Sequence, residues 1–286
     1  MHYNTNLKLN PTTEQFTSLN IQYDEQHELA WYRMNAQPRP CFTPEVVANI
    51  QHWFDGIIGG VELNHDRLKY IVMSSSIPNV FCLGGDLNLF LKLIRNRDRE
   101  ALLKYDEACI RAMFLIHTDL GRDLTTIALV QGDALGGGFE GVLANDVIIA
   151  ERSAKMGLPD ILFNLFPGAG AYSFLSRKIG MLEAERMVLS GKLYSAEELH
   201  DMGVVDVLAE DGEGEKAVYE YIKRENRARN GRRAFRQAKR LCNPVTLDEL
   251  LEGAKIWADA AMRLDEKDLR MMERLVKRQS SKFDAS

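Results

Sequence analysis

Two glycine turns and two carboxylates carry the chemistry available to this sequence. Phe81-Cys82-Leu83-Gly84-Gly85-Asp86 and Gly132-Asp133-Ala134-Leu135-Gly136-Gly137-Gly138-Phe139-Glu140 each follow an apolar run and open a helical one. A strand-to-helix turn of this kind leaves backbone N–H groups unpaired at the positive end of the helix dipole. Glycine lets the chain bend sharply there and lets a ligand approach the backbone. Either a phosphate or a developing oxyanion would suit such a turn. A Walker-type loop needs Lys and Ser or Thr behind its glycines, whereas Phe139, Glu140 and Gly141 follow Gly138. A dinucleotide-binding turn is not expected so deep in the chain. The acid close behind the glycines repels phosphate but serves an enolate. Glu140 lies one helical turn beyond Gly137, so both can face one pocket.

The elements that must position these residues follow from periodicity. Residues 18–36 read as a hairpin, with Leu19, Ile21 and Tyr23 before the polar Asp24-Glu25-Gln26-His27 and Leu29, Trp31 and Tyr32 after it. Thr43-Pro44-Glu45 opens a helix through Ile57 that Gly59-Gly60 stops. Buried strands are expected at Lys69–Ser74, Thr125–Val130 and Asp146–Ala150, with helices after Asp86, from about 99 to 118, and beyond Glu140. Repeated strand, glycine turn and helix indicate an α/β architecture. Short helices are expected at 181–190 and 195–202, an acidic loop at Asp211–Glu215, and one or two helices over 246–279, with Thr246 as cap. The expected organisation is a loose arm at 1–17, a core at 18–205 and a helical region at 206–286.

The bulk properties narrow the class. The 286 residues carry a net charge of −5, too little basic excess for a general nucleic-acid binder. The four cysteines, Cys41, Cys82, Cys109 and Cys242, form no C-x-x-C pair and lie near no histidine cluster, so no zinc site is expected. They suit reduced thiols in a cytoplasmic protein. The N-terminal residues show no signal-peptide pattern, and no apolar stretch approaches the ~20 residues of a membrane span.

Four ordered motifs together resemble the crotonase, or enoyl-CoA hydratase/isomerase, superfamily. They are the two glycine turns; Met156-Gly157-Leu158-Pro159-Asp160 with Phe166-Pro167-Gly168-Ala169-Gly170; and Met187–Lys192 leading to Gly203-Val204-Val205-Asp206. The resemblance covers roughly residues 18–260. It implies the crotonase (ClpP/crotonase-like) fold of repeated ββα units in two near-perpendicular sheets, with a C-terminal helical region. It also implies that Gly85 and Gly137 give oxyanion-hole N–H groups and that Glu140 and Asp160 move protons. Asp160 stands where hydratases of the family carry Glu, which shortens its reach by about 1.5 Å. Displacement of about 1 Å at a reacting group costs on the order of 100-fold in rate.

Within the superfamily, Leu158-Pro159 and Phe163–Leu175 resemble the diffusible signal factor synthases of bacterial quorum sensing. That branch implies dehydration of a 3-hydroxyacyl thioester on acyl carrier protein to a cis-2-enoyl thioester, then hydrolysis to a free signal fatty acid. It also implies restraint by a signal-sensing regulatory protein, while the superfamily implies a homotrimer or hexamer and no metal or redox cofactor; the charge and the lack of a long apolar stretch leave no nucleic-acid or membrane partner expected. The alternatives are an ordinary enoyl-CoA hydratase or isomerase, and a crotonase-fold binding protein. Phe163, Phe166, Trp257 and Leu275 are candidates for the acyl wall, with plain core packing as their alternative. Asp160 could instead be a helix cap. Nine basic residues and one acid, Glu225, lie between Lys223 and Arg240. They read as a solvated helix face or as a dock for an acidic carrier protein or coenzyme A phosphates.

Overall fold

A computed structural model describes residues 10–11, 16–37, 39–60 and 65–283. The chain begins with β1 (Asn10–Pro11), β2 (Leu19–Asp24) and β3 (Leu29–Met34), then α1 (Pro44–Ile58). Three related units follow. The first is β4 (Tyr70–Ser75), β5 (Val80–Cys82) and α2 (Leu87–Arg95), extended by α3 (Arg99–His117). The second is β6 (Thr125–Val130), β7 (Asp133–Leu135) and α4 (Gly137–Leu143). The third is β8 (Val147–Glu151), β9 (Lys155–Gly157), a 3-10 turn at Pro159–Phe163, and α5 (Ala171–Ile179). Then come α6 (Met181–Ser190), β10 (Leu193–Ser195), α7 (Ala196–Asp201), β11 (Val207–Ala209), α8 (Gly214–Asn226), α9 (Arg229–Cys242), α10 (Leu247–Ala261) and α11 (Glu266–Phe283).

One sheet runs in the order β1-β2-β3-β4-β6-β8-β11, with strands of five or six residues at its centre, and is parallel from β3 onward. Four strands of three residues each form a second sheet, β10-β9-β7-β5. This second layer explains a difference from the sequence reading. Periodicity leaves the segments around 80, 133 and 155 as loops, because a three-residue strand shows no period. Their pairing with one another, β5 with β7 and β7 with β9, is what makes them strands.

The large sheet is buried on both faces, so its central strands read as continuous apolar runs. Ile71, Met73, Ala128 and Ile148 join the main core, which also holds Trp53, Phe54, Ile110 and Met113 of α1 and α3. Tyr70, Val72, Ile127 and Ile149 face the other way and are covered by Val218 and Ile222 of α8. The helix starts follow their caps. Thr43 accepts from the Val46 N–H, Thr246 from Glu249, and Ser195 forms a capping box with Glu198.

The acidic segment 211–215 is only partly a loop. Gly214 is buried, its N–H donates to Glu151 Oε1 at 3.0 Å, and α8 begins there. Two residues of the expected arm, Asn10 and Pro11, pair with Tyr23 and Gln22; positions 1–9 and 12–15 lie outside the described residues. Among the described residues no helix is long and apolar enough to cross a membrane.

The basic run folds as the end of α8 and α9, and it is more than a solvated face. α9 buries none of its residues and is held by charge instead. Arg229 and Arg233 pair with Asp123; Arg232 and Arg236 pair with the buried Glu225; Arg240 bridges Asp119 and Asp146, at 2.6 Å from the latter. Five of the nine cations are thus engaged with the body of the protein, which leaves a smaller free basic surface than the sequence suggests.

Candidate active site

The two glycine turns meet at one place. Gly84 has φ +95°, and a Cβ there would stand 2.7 Å from Leu135 O and 3.2 Å from Gly137 N. A Cβ on Gly137 would stand 3.3 Å from Gly85 N. The backbones of the turns are therefore in contact, and the N–H groups of Gly85 and Gly137 are neighbours. Gly137 is the first residue of α4, so its N–H has no partner within the helix. Neither N–H is spent on another hydrogen bond among the described residues. The β5–β7 pairing holds the turns in register, and Phe42 N–H donates to Gly84 O at 2.8 Å. Asp86 caps α2 through the N–H groups of Asn88 and Leu89 and pairs with Arg39.

Both turns open into a cavity of about 370 Å³. Its walls are mostly apolar: Phe90, Met113, Phe163, Leu193, Trp257 and Leu275. Four acids also line it, Asp106, Asp133, Glu140 and Asp160, and no Lys, Arg or His does among the described residues. Of the sequence candidates, Gly85, Gly137, Glu140, Asp160, Phe163, Trp257 and Leu275 are brought together here. Phe166 is the exception. It packs half-buried against the core and does not line the cavity. The aromatic residue whose ring turns inward from that segment is Phe163, in the 3-10 turn.

Glu140 is 3% exposed, and its Oε1 accepts from the Ala171 N–H at 3.0 Å. The stretch Phe166–Gly170 thereby brings the first N–H of α5 onto the Glu140 carboxyl. Burial, followed by the nearby Asp160 and Asp106, raises the Glu140 pKa well above the usual range, with the N–H groups of Ala171 and Ala169 opposing. Asp160 sits in the 3-10 turn with Oδ2 buried and unpartnered. It therefore does not act as a helix cap. Its Oδ2 lies 3.3 Å from where a Gly136 Cβ would be, beside the turn that carries Gly137. Burial pushes its pKa up to about 6.

Sequence reasoning missed α3 as a wall of this cavity. Tyr105, Asp106, Cys109 and Met113 line it from one helix face. Tyr105 OH donates to Phe42 O and accepts from the Asp86 N–H, tying α3 to the first turn. Asp106 is 5% exposed, its Oδ2 has no partner, and burial pushes its pKa up to about 7, with Glu107 and Asp160 adding to the rise. A signal was present in the sequence: an acid on the stripe Leu102, Tyr105, Cys109, Ile110, Met113 that the helical period buries.

Chemically, the site offers two adjacent N–H donors for an oxyanion and carboxyls with raised pKa values beside an apolar cavity. That is what enolate chemistry on an acyl thioester requires. The chain matches the enoyl-CoA hydratase/isomerase family over residues 61–279 and belongs to it. It is 33% identical over 195 residues to the mitochondrial methylglutaconyl-CoA hydratase of Rattus norvegicus, covering 66% of this chain and 59% of that protein. It is 31% identical to a probable mitochondrial enoyl-CoA hydratase 2 of Arabidopsis thaliana over 74% of this chain and 66% of the relative. The match thus spans roughly three fifths of the length of the methylglutaconyl-CoA hydratase. Among solved structures, the enoyl-CoA hydratase of Bacillus halodurans superposes with a TM-score of 0.75 at 22% identity, covering 90% of this chain and all of the other. DspI of Pseudomonas aeruginosa superposes with a TM-score of 0.65 at 25% identity, covering 80% and 81%. The fold is that of the crotonase enzymes.

Proposed function

We propose that this protein dehydrates a 3-hydroxyacyl thioester carried on acyl carrier protein to a cis-2-enoyl thioester and then hydrolyses it, releasing an unsaturated fatty acid signal. The observation that carries the thioester chemistry is the convergence of the Gly85 and Gly137 N–H groups with Glu140 and Asp160 on one apolar cavity. Leu158-Pro159 and Phe163–Leu175, similar to the corresponding stretches of the signal synthases, support the finer reading.

The thioester carbonyl oxygen sits between the two N–H groups, which hold the enolate charge away from water, where such donors act most strongly. Two carboxyls in one pocket divide their roles by holding protons differently. Burial raises Asp160 to about 6, so at neutral pH it carries the charge, whereas burial beside Asp160 and Asp106 makes Glu140 the carboxyl that favours holding a proton. Asp160 takes the α-proton, the carbonyl electrons move to the hole, and their return expels the 3-hydroxyl as water with the proton from Glu140. Asp160 now holds a proton and Glu140 is charged, so the pair has exchanged roles. In the second step Glu140 draws a proton from water as that water attacks the same carbonyl. The tetrahedral oxyanion occupies the same hole and the thiol leaves with a proton from Asp160, restoring the starting state.

The cavity wall offers no cation among the described residues, which suits an uncharged acyl chain. Apolar side chains left at the surface, Met181 and Leu182 on α6, Phe235 and Leu241 on α9 and Ile256 on α10, supply area for association of copies into a trimer or hexamer. A signal-sensing regulatory partner belongs to this proposal on the sequence resemblance alone. A second reading, hydration of enoyl-CoA in fatty-acid breakdown, is favoured by the names of the curated relatives.

Product analysis by mass spectrometry separates the two. Purified protein is mixed with 3-hydroxydodecanoyl acyl carrier protein or with the coenzyme A thioester, and Glu140→Ala serves as control. Free cis-2-dodecenoic acid from the carrier-protein substrate, absent in the control, is the expected result. Reversible hydration of enoyl-CoA without free acid would replace the proposal with the second reading.

A further inference from the structure

We propose that Asp106 is a substrate-binding residue whose carboxyl grips a hydroxyl carried by the acyl chain beside the thioester. This rests on the thioester reading above and adds a third polar group to the site, one that the paired catalytic carboxyls do not account for.

The geometry is specific. Asp106 lies on the cavity face of α3, three residues before Cys109 and seven before Met113, and all three line the cavity. That spacing puts them on one stripe of the helix. Its neighbours in the wall are apolar or weakly polar. It is 5% exposed and its Oδ2 has no hydrogen-bond partner. A buried polar atom left unpaired costs about 1–3 kcal/mol. Such an atom calls for an explanation, and a ligand that supplies the missing hydrogen bond is the one offered by its place in the wall. Asp160 Oδ2, in the same cavity, is unpaired as well. Two unsatisfied carboxyl oxygens are therefore placed to meet a ligand that brings polar hydrogens or lone pairs into a mostly apolar space that Asp133 and Glu140 also line.

The chemical class follows from the charges. No Lys, Arg or His lines the cavity among the described residues, so a second carboxylate on the acyl chain would meet acids and no counter-ion. A hydroxyl meets no such penalty. It can donate to a charged carboxyl and accept from a neutral one, so it serves Asp106 on either side of its titration. The groups that face Asp106 across the cavity are Glu140 of α4 and Asp160 of the 3-10 turn, with Glu107 beside it on α3. A hydroxyl held by Asp106 stands in the path of proton transfer between those two carboxyls. The shorter Asp at 160 is then compensated by where the hydroxyl is held, without a longer side chain.

The test is a comparison of two ligands. Binding of 3-hydroxydodecanoyl-CoA and of dodecanoyl-CoA is measured by calorimetry in a Glu140→Gln background that stops turnover. The same pair is then measured with Asp106→Leu and with Asp106→Asn added. With Asp106 intact, the hydroxylated thioester is expected to bind about tenfold tighter, the equivalent of about 1.4 kcal/mol. Asp106→Leu should erase that preference and leave dodecanoyl-CoA bound as well as before or better. Asp106→Asn, which keeps the shape and hydrogen-bonding groups, should retain the preference within about threefold. Equal binding of the two thioesters with Asp106 intact would overturn the inference while leaving the thioester reading in place. So would a preference that survives Asp106→Leu. Failure of the Glu140→Gln protein to bind either acyl chain, as the coenzyme A thioester and again on acyl carrier protein, would remove the thioester reading and this inference with it.

Discussion

Gly138→Ala should disable the site without touching a reacting group. Gly138 is the second residue of α4, packed under the second turn against β5. A Cβ there would lie 2.3 Å from Cys82 O and 2.9 Å from the Cys82 Cβ. Contacts below 3.0 Å essentially never occur, so the start of α4 must withdraw by at least 3.0 − 2.3, or roughly 0.7 Å. Cys82 O is backbone in a paired strand and cannot swing aside. The withdrawal carries Gly137 and Glu140 with it, moving one N–H donor and one proton carrier away from Gly85. Displacement on the order of 1 Å costs about 100-fold, so kcat/KM should fall by roughly 30- to 100-fold, about 2–3 kcal/mol of transition-state stabilisation. The assay follows a 2-enoyl thioester by its ultraviolet absorbance. Gly141→Ala is the matched control on the same helix. Its Cβ would meet Phe42 Cζ at 3.4 Å and Met73 Cε at 3.6 Å, ordinary contacts. That variant should keep activity within about threefold and gain up to about 0.5–1 kcal/mol of stability from the loss of a helical glycine. Activity of Gly138→Ala within threefold of the parent would refute the reasoning, as would an equal loss in Gly141→Ala.

Other consequences are simpler to state. Glu140→Gln should lower kcat by about 10²- to 10⁴-fold with little loss of thermal stability, checked by kinetics and calorimetry on one preparation. The rate should rise as pH climbs through about 6 and Asp160 loses its proton. It should fall at higher pH as Glu140 gives up its own, and Asp160→Asn should abolish the acid limb of the profile. Asp106 holds its proton in the native state up to about pH 7, against 3.8 when unfolded. Stability is therefore lost as pH rises between those values and the loss is constant above them. Asp106→Asn should accordingly stabilise the protein by an amount that grows from about pH 4 to pH 7 and then levels, measured by urea unfolding across that range. Arg240→Met leaves Asp119 and Asp146 without their shared cation; because the arginine is only partly buried, about 2 kcal/mol is expected, a fall of roughly 5 °C in Tm. Leu275→Trp should shorten the longest acyl chain turned over, read from kcat/KM across a chain-length series.

Much of this architecture was legible because its signals are local. The central strands are apolar runs of five or six residues, and Thr43, Asp86, Ser195 and Thr246 announce the helices they cap. Gly85, Gly137 and Glu140 stand out because glycine turns and an acid at fixed spacing are sequence features. What sequence missed is decided at a distance. The strands of the small sheet exist only through one another. The basic run reads as a surface feature because its partners, Asp119, Asp123 and Asp146, lie some 90 to 120 residues away. Phe166 and Phe163 are three residues apart with the same side chain, and between them the chain turns through the left-handed Asn164, φ +61°; Phe163 reaches the cavity and Phe166 does not.

The small second sheet has a kinetic consequence. Its four strands come from residues 80 to 195, and each holds a turn or wall of the cavity in place. None is long enough to persist alone, and β5–β7 and β7–β9 each repay the closing of a long loop with only two paired positions, against six for β3–β4 and four each for β4–β6 and β6–β8. The large sheet has longer pairings and a larger buried core to repay its loops first. The cavity is therefore expected to close late on the route to the native chain. A nascent or partly folded molecule would display much of its final helix and strand content while still unable to hold an oxyanion, so that catalysis marks the completion of folding.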